Sequence, residues 1–168
     1  MKILHSNLIG DSKRDLFIVH GFLGMGDNWK THAKKIAEND FRVHLIDLRN
    51  HGKSFWSNDF SFEIMVDDLY KYAEHYNINK FSLLGHSMGG NIGMLFAQKF
   101  PELLEKIIIV DIIPKEYKPL HETILTGLKS IDFNKIKSRK HVDVHLSKYI
   151  SDERVRQFLL KNLYWVDK

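Results

Sequence analysis

A serine stands between two glycines at Gly85-His86-Ser87-Met88-Gly89, directly after the apolar run "FSLL". This is the pattern G-x-S-x-G, and its chemistry is nucleophilic: a hydroxyl held at a sharp turn attacks an acyl carbon when a base takes its proton. A strand before the turn and a helix after it would lift Ser87 out of the backbone, with the flanking glycines relieving the crowding. The same five residues could form a glycine-rich turn without chemistry, so their surroundings decide. Attack leaves a negative oxygen that needs two backbone N–H donors. Met88, at a helix start, supplies one candidate. Phe22 in "HGFLG" supplies the other, with Gly21 expected to let the chain turn.

These loops need a frame. Residues 15–21, "DLFIVHG", read as a buried strand closed by glycine. "GDNWKTHAKKIAEN" follows as a helix, with Asp27 as its N-cap and Trp29, Ala33, Ile36 and Ala37 on one face. "FRVHLIDLRNHGKS" is a second strand running into a loop. A helix then starts at Ser61 with Met65, Leu69, Tyr72, Ala73 and Tyr76 at helical spacing. "KFSLLG" is a third strand, the helix after Ser87 stops at Pro101, and "KIIIVDIIP" is a fourth strand. Alternating strands and helices predict an α/β fold, a mostly parallel sheet with helices on both faces. Ligands of such sheets bind beyond the carboxyl ends of the strands, which selects the loops 20–24, 47–54, 85–90 and 111–114. After Pro114 the pattern changes to three helices without strands, with Ser151 as a cap for the last. The expected division is a core over 1–113 and a helical cap over 114–168.

Composition narrows the function. A chain of 168 residues holds one core. Apolar and charged fractions of 43% and 27% exclude a disordered or fibrous protein. The absence of cysteine removes disulfides, thiolate metal sites and a cysteine nucleophile, and fits a cytoplasmic protein. No metal-ligand cluster or phosphate-binding loop is present, so neither metal nor cofactor is expected. No apolar run could span a bilayer, and the polar start "MKILHSNLIGDSKRD" makes a poor signal peptide. Residues 1–128 carry 15 Lys and Arg against 16 Asp and Glu, and residues 129–168 carry 10 against 5. The basic excess alternates with apolar residues, as on solvated helix faces, and points to neither nucleic acid nor membrane.

The stretches "VHGFLGMGDNW", "DLRNHGKS", "LLGHSMGG" and "VDIIPKEY" together resemble the α/β-hydrolases, and within them the small bacterial YbfF-type esterases. The likeness continues weakly through "RVRQFLLKNL". It implies an esterase or thioesterase acting on a small-molecule acyl ester or thioester, with a helical cap after the fourth strand. It also implies Asp111 as the triad acid, since that position matches the aspartate following the post-elbow strand. A carboxylate at the mouth of an apolar strand is expected to be buried and to need a partner; the alternative is a cap for the turn before Pro114. The acyl pocket is expected to include Leu23, Ile112 and Ile113, with Phe158 and Leu159 from the cap.

None of the ten histidines is well placed to be the base. His86 adjoins the nucleophile and should point away, His20 should buttress the oxyanion loop, and His51 lies in a loop that resembles a structural one. His5, His32, His44 and His75 belong to sheet or helix faces, and His121, His141 and His145 to the cap. In the family the order is serine, acid, histidine, the last beyond the final strands. The resemblance therefore implies that the histidine and two further strands lie outside these 168 residues, so the fold is C-terminally incomplete. That leaves the "IIIV" strand as an open sheet edge. A non-catalytic remnant or binding module is the alternative.

Overall fold

The computed structural model describes residues 2–115 and 122–165, and over them the chain forms five strands, six α-helices and two short 3-10 turns. The strands are β1 (Ser6–Ile9), β2 (Asp15–Val19), β3 (Arg42–Ile46), β4 (Phe81–His86) and β5 (Leu104–Val110). They make one sheet in the order β1-β3-β2-β4-β5. The last four are parallel, as expected, whereas β1 runs antiparallel to β3 at one edge. Sequence reasoning missed β1 because its four residues, "SNLI", show no apolar alternation and are only partly buried.

Period-two alternation splits β2 between two cores. Phe17 and Val19 face one layer with Leu83, Met65, Leu69 and Phe96, covered by α2 (Phe62–His75) and α3 (Met88–Lys99). Leu16 and Ile18 face the other with Val43, Leu45 and Ala33, covered by α1 (Lys30–Ala37), against which Trp29, Ile36 and Ala37 also pack. Ser61 caps α2 by accepting the Ile64 N–H, and the C-capping Tyr76 is exposed rather than on the apolar face. The helix after β2 begins with a 3-10 turn over Gly26–Trp29, and Asp27 does not cap it: its carboxylate accepts from Asn7 Nδ2, while Asn28 Oδ1 takes the Met25 N–H.

From β2 the chain moves to β3 on one side and later to β4 on the other. The loops leaving β2 and β4 thus diverge at the carboxyl ends of adjacent strands, where such sheets open a crevice.

β5 lies at the far edge, and among the described residues only β4 pairs with it. Ile107 and Ile108 are 39% and 48% exposed on its two faces. An apolar, unpaired edge is a template for another strand. The 168-residue chain is expected to elute larger than a monomer in light-scattering chromatography, and Ile108→Lys to reduce the association. A monodisperse wild-type monomer would refute this.

The chain divides into two compact units, residues 1–114 and 115–168. In the second, α4 (Glu122–Lys129), α5 (Arg139–Leu146) and α6 (Glu153–Leu160) match the three expected helices. The cap of α6 is Asp152, not Ser151, because its carboxylate accepts the Arg154 N–H. Val142, Leu146, Leu159 and Leu160 are buried, and Arg156 ties α6 to Asp143 at 2.8 Å. Among the described residues no helix is long and apolar enough to cross a membrane.

Candidate active site

Ser87 lies between β4 and α3 with φ 51° and ψ −118°. A non-glycine residue there is strained by about 1–3 kcal/mol. The surroundings hold it: the Ser87 N–H donates to Val110 O on β5 at 2.9 Å, and its carbonyl accepts the Gly90 and Asn91 N–H groups at 2.8 and 3.2 Å. Met88 follows as the first residue of α3, so its N–H belongs to the turn without intrahelical acceptors.

The loop after β2 approaches Ser87 from the adjacent strand, where Val19 pairs with Gly85. A methyl group at Gly21 would lie 3.2 Å from Ser87 Cβ and 3.1 Å from His86 Nδ1, so a larger residue there would crowd both side chains. Gly21 closes the turn through its carbonyl without a left-handed φ, which falls instead on Leu23 at 58°. The Gly21 carbonyl accepts both the Gly24 N–H at 3.0 Å and the His20 Nδ1–H at 2.8 Å. Because the Gly21–Phe22 peptide is planar and trans, fixing that carbonyl aims the Phe22 N–H the opposite way. His20 Nε2 accepts the Leu48 N–H at 3.1 Å, so this ring is neutral and joins the loops after β2 and β3.

Asp111 follows β5 with φ 58°. It lies at a neighbouring strand end but is 80% exposed, not buried among apolar residues as the sequence suggested. The reason is the edge position of β5, which leaves its outer side uncovered. His86 does not point away from the site: its Nε2 stands 3.6 Å from Asp111 Oδ2, with the Trp29 ring at 5.7 Å. Ile112 packs on Gly90, Ile113 is exposed, and Leu23 is half-buried. Phe158 is half-buried and Leu159 buried in the second unit.

Three histidines of the first unit, His20, His44 and His51, are committed to bonds away from Ser87. His20 has both ring nitrogens bonded to backbone, His44 sits between Tyr72 Oη and Asp15 at 2.8 Å each, and His51 bonds Arg49 O and the Leu23 N–H. His5 Nε2 is buried without a partner, and His32 and His75 lie exposed on α1 and α2. Among the described residues none hydrogen-bonds the Ser87 hydroxyl. In the second unit, His145 Nε2 meets Ser130 Oγ at 2.8 Å, and His121 lies outside the described residues.

The loop after β3 contributes structure that sequence reasoning left unassigned. The buried Asp47 carboxylate accepts the Gly26 and Lys53 N–H groups at 2.7 and 2.9 Å, and a β-carbon at Gly52, where φ is 52°, would collide with that carboxylate. The aspartate after the strand and the glycine five residues on were the available signals.

Burial pushes the His20 pKa down to about 3 from 6.5, and lowers those of His44 and His51. Since the unfolded chain then takes up protons first, stability is complete above about pH 6.5 and falls as the pH drops towards 3. Urea midpoints should decline over that window, with a loss on the order of several kcal/mol. A flat midpoint from pH 7 to 4 would contradict the buried neutral imidazoles.

Residues 16–136 match the family model described as the alpha/beta hydrolase fold. A putative esterase/lipase of Haemophilus influenzae is 36% identical over 88% of this chain and 51% of its own. An sn-1-specific diacylglycerol lipase of Danio rerio is 35% identical over 92% of this chain and 50% of its own. Among solved structures, a marine microorganism esterase superposes with a TM-score of 0.92 at 39% identity, over 96% of this chain and 64% of that one. The chain spans about half the length of the curated relatives it matches.

Proposed function

The chain belongs to the alpha/beta hydrolase fold family, and from that premise we propose that it carries the nucleophile and oxyanion hole of a serine esterase or thioesterase. The observation that carries this reading is Ser87 itself, held at φ 51° between β4 and α3 and flanked by Gly21 of the neighbouring loop. Strain of this kind at a strand-to-helix turn exposes a hydroxyl for attack.

In the proposed reaction Ser87 Oγ bonds to the acyl carbon of a small ester or thioester, and its proton passes to a base. The Phe22 and Met88 N–H groups receive the oxyanion. The intermediate collapses as the alcohol or thiol leaves with that proton. Water, deprotonated by the same base, then hydrolyses the acyl-serine. Asp111 is the acid that would orient the base, and Leu23, Ile112 and Ile113 would border the acyl group. We place the base beyond the described histidines of the first unit: none of them hydrogen-bonds the Ser87 hydroxyl, and His86, next to it in sequence, turns its Nε2 to Asp111.

That commitment of the histidines favours a second reading, a binding module that keeps the fold without turnover. Fluorophosphonate labelling separates the two. Covalent modification at Ser87, mapped by mass spectrometry and absent from Ser87→Ala, supports the enzyme. If neither this chain nor a longer form carrying a base is labelled, the binding module stands.

A further inference from the structure

The loop after β3 reaches into the oxyanion loop through one side chain, that of His51. Its ring is 7% exposed and lies between Phe22, at 6.1 Å between centroids, and Phe60, stacked at 6.2 Å. Nδ1 is 2.9 Å from the Arg49 carbonyl. A carbonyl only accepts, so Nδ1 carries the proton. Nε2 then holds a lone pair in the neutral ring, and the Leu23 N–H donates to it at 3.2 Å. The tautomer is thus set from both sides.

The support behind this contact is rigid. Arg49 is buried and forked onto the buried Asp68 carboxylate, through Nε at 2.6 Å and Nη2 at 2.8 Å, while its Nη1 donates to Asp59 O. The His51 N–H donates to Leu48 O, and the Ser54 N–H returns to His51 O, so the ring projects from a closed turn. Leu23, its partner, is the residue whose left-handed φ of 58° turns the oxyanion loop.

We infer that His51 is a positioning residue, holding the Phe22–Leu23 peptide through a neutral Nε2 and thereby keeping the Phe22 amide directed at Ser87. The inference rests on the oxyanion role proposed for Phe22. It complements His20, which fixes the preceding peptide through the Gly21 carbonyl. Two histidines from two loops clamp two successive peptide units, so the N–H between them has little freedom to rotate.

Protonation would undo the clamp, because an imidazolium donates at both nitrogens and cannot accept the Leu23 N–H. The groups facing His51 leave it neutral. From the β2 loop come the Phe22 ring, the Leu23 amide and the neutral His20 ring at 5.0 Å. From its own loop come the Arg49 carbonyl and the Asp47 carboxylate, which already accepts two backbone amides. Phe60 closes the remaining side. Burial lowers the His51 pKa against the opposing pull of Arg49 O and Asp47.

The test compares the 168-residue chain with His51→Leu, which cannot accept, and His51→Gln, whose amide oxygen can. Hydrogen exchange at the Leu23 amide should quicken roughly tenfold or more in His51→Leu and stay near wild type in His51→Gln. In a longer form that carries a base, fluorophosphonate labelling of Ser87 should fall in parallel and be rescued by glutamine. If His51→Leu fails to fold, nitrogen NMR of the wild-type imidazole decides: a proton on Nδ1 with Nε2 accepting supports the role, and a proton on Nε2 overturns it. Equal Leu23 exchange in all three proteins also overturns it. If a longer form that carries a base also stays unlabelled, the nucleophile reading is withdrawn, while Leu23 exchange still judges the clamp.

Discussion

Ser87→Ala is expected to abolish acyl transfer in any form of the protein that turns over. Removing the serine of a triad costs on the order of a million-fold in kcat, because no other group can form the acyl intermediate. Asp111→Asn should cost less, roughly ten-thousand-fold, since an amide disturbs the orientation and tautomer of the base but leaves the nucleophile. The base itself has the same leverage as the serine. With none of the described histidines of the first unit bonded to Ser87, the 168-residue chain is expected to hydrolyse p-nitrophenyl acetate or butyrate at a residual rate. From a typical kcat near 10 per second, a million-fold loss leaves roughly one turnover per day. Stopped-flow and overnight assays span that range. Turnover of the isolated chain within a few orders of magnitude of normal would overturn the expectation, and would direct attention to His121, His141 and His145. Activity that survives Ser87→Ala would remove Ser87 from the mechanism altogether.

The elbow was legible because its requirements are local. A strand, two glycines and a helix start are written within about fifteen residues, and the structure places them as β4, Ser87 and α3. The parallel order was legible for a related reason: β-branched runs alternate with amphipathic helices, and only a doubly covered sheet buries both. What stayed hidden depends on residues far apart in sequence. His51 was dismissed as part of a structural loop, yet its ring takes an N–H 28 positions away. No spacing rule encodes that contact. The exposure of Asp111 was misjudged because burial was inferred from its apolar neighbours, whereas β5 sits at an edge and its Ile107 and Ile108 are themselves exposed. Neighbour hydrophobicity reports a residue's preference, while topology decides whether the preference is met. β1 was lost for the opposite reason: an edge strand buries too little to be selected for alternation.

Gly89→Ala is expected to be strongly destabilising, and helix propensity alone says the reverse. Gly89 is in the first turn of α3, where alanine would normally gain up to about 1 kcal/mol over glycine. A β-carbon there, however, would be driven into the Val19 carbonyl and lie 2.7 Å from His20 O. Both are backbone atoms at the end of β2, the strand paired on both sides within the sheet, so no rotamer change relieves the overlap. Either α3 retreats or β2 bends, and each alternative displaces Ser87 from the Gly21 loop. Overpacking against immovable neighbours costs about 3 kcal/mol or more, which would lower Tm by roughly 10 °C in a unit of this size. Gly93→Ala, one turn along α3, is the internal control. Its β-carbon would meet Leu83 Cδ2, the end of a flexible side chain, so the change should stay within about 1 kcal/mol of wild type. Thermal melts by circular dichroism, with fluorophosphonate labelling at Ser87 of the same substitutions in a longer form that carries a base, test both halves. Gly89→Ala should lose stability and labelling together, and Gly93→Ala should keep both. If Gly89→Ala melts with the wild type, the close approach of α3 to β2 is not what makes the elbow, and the glycine after the serine serves chain flexibility instead.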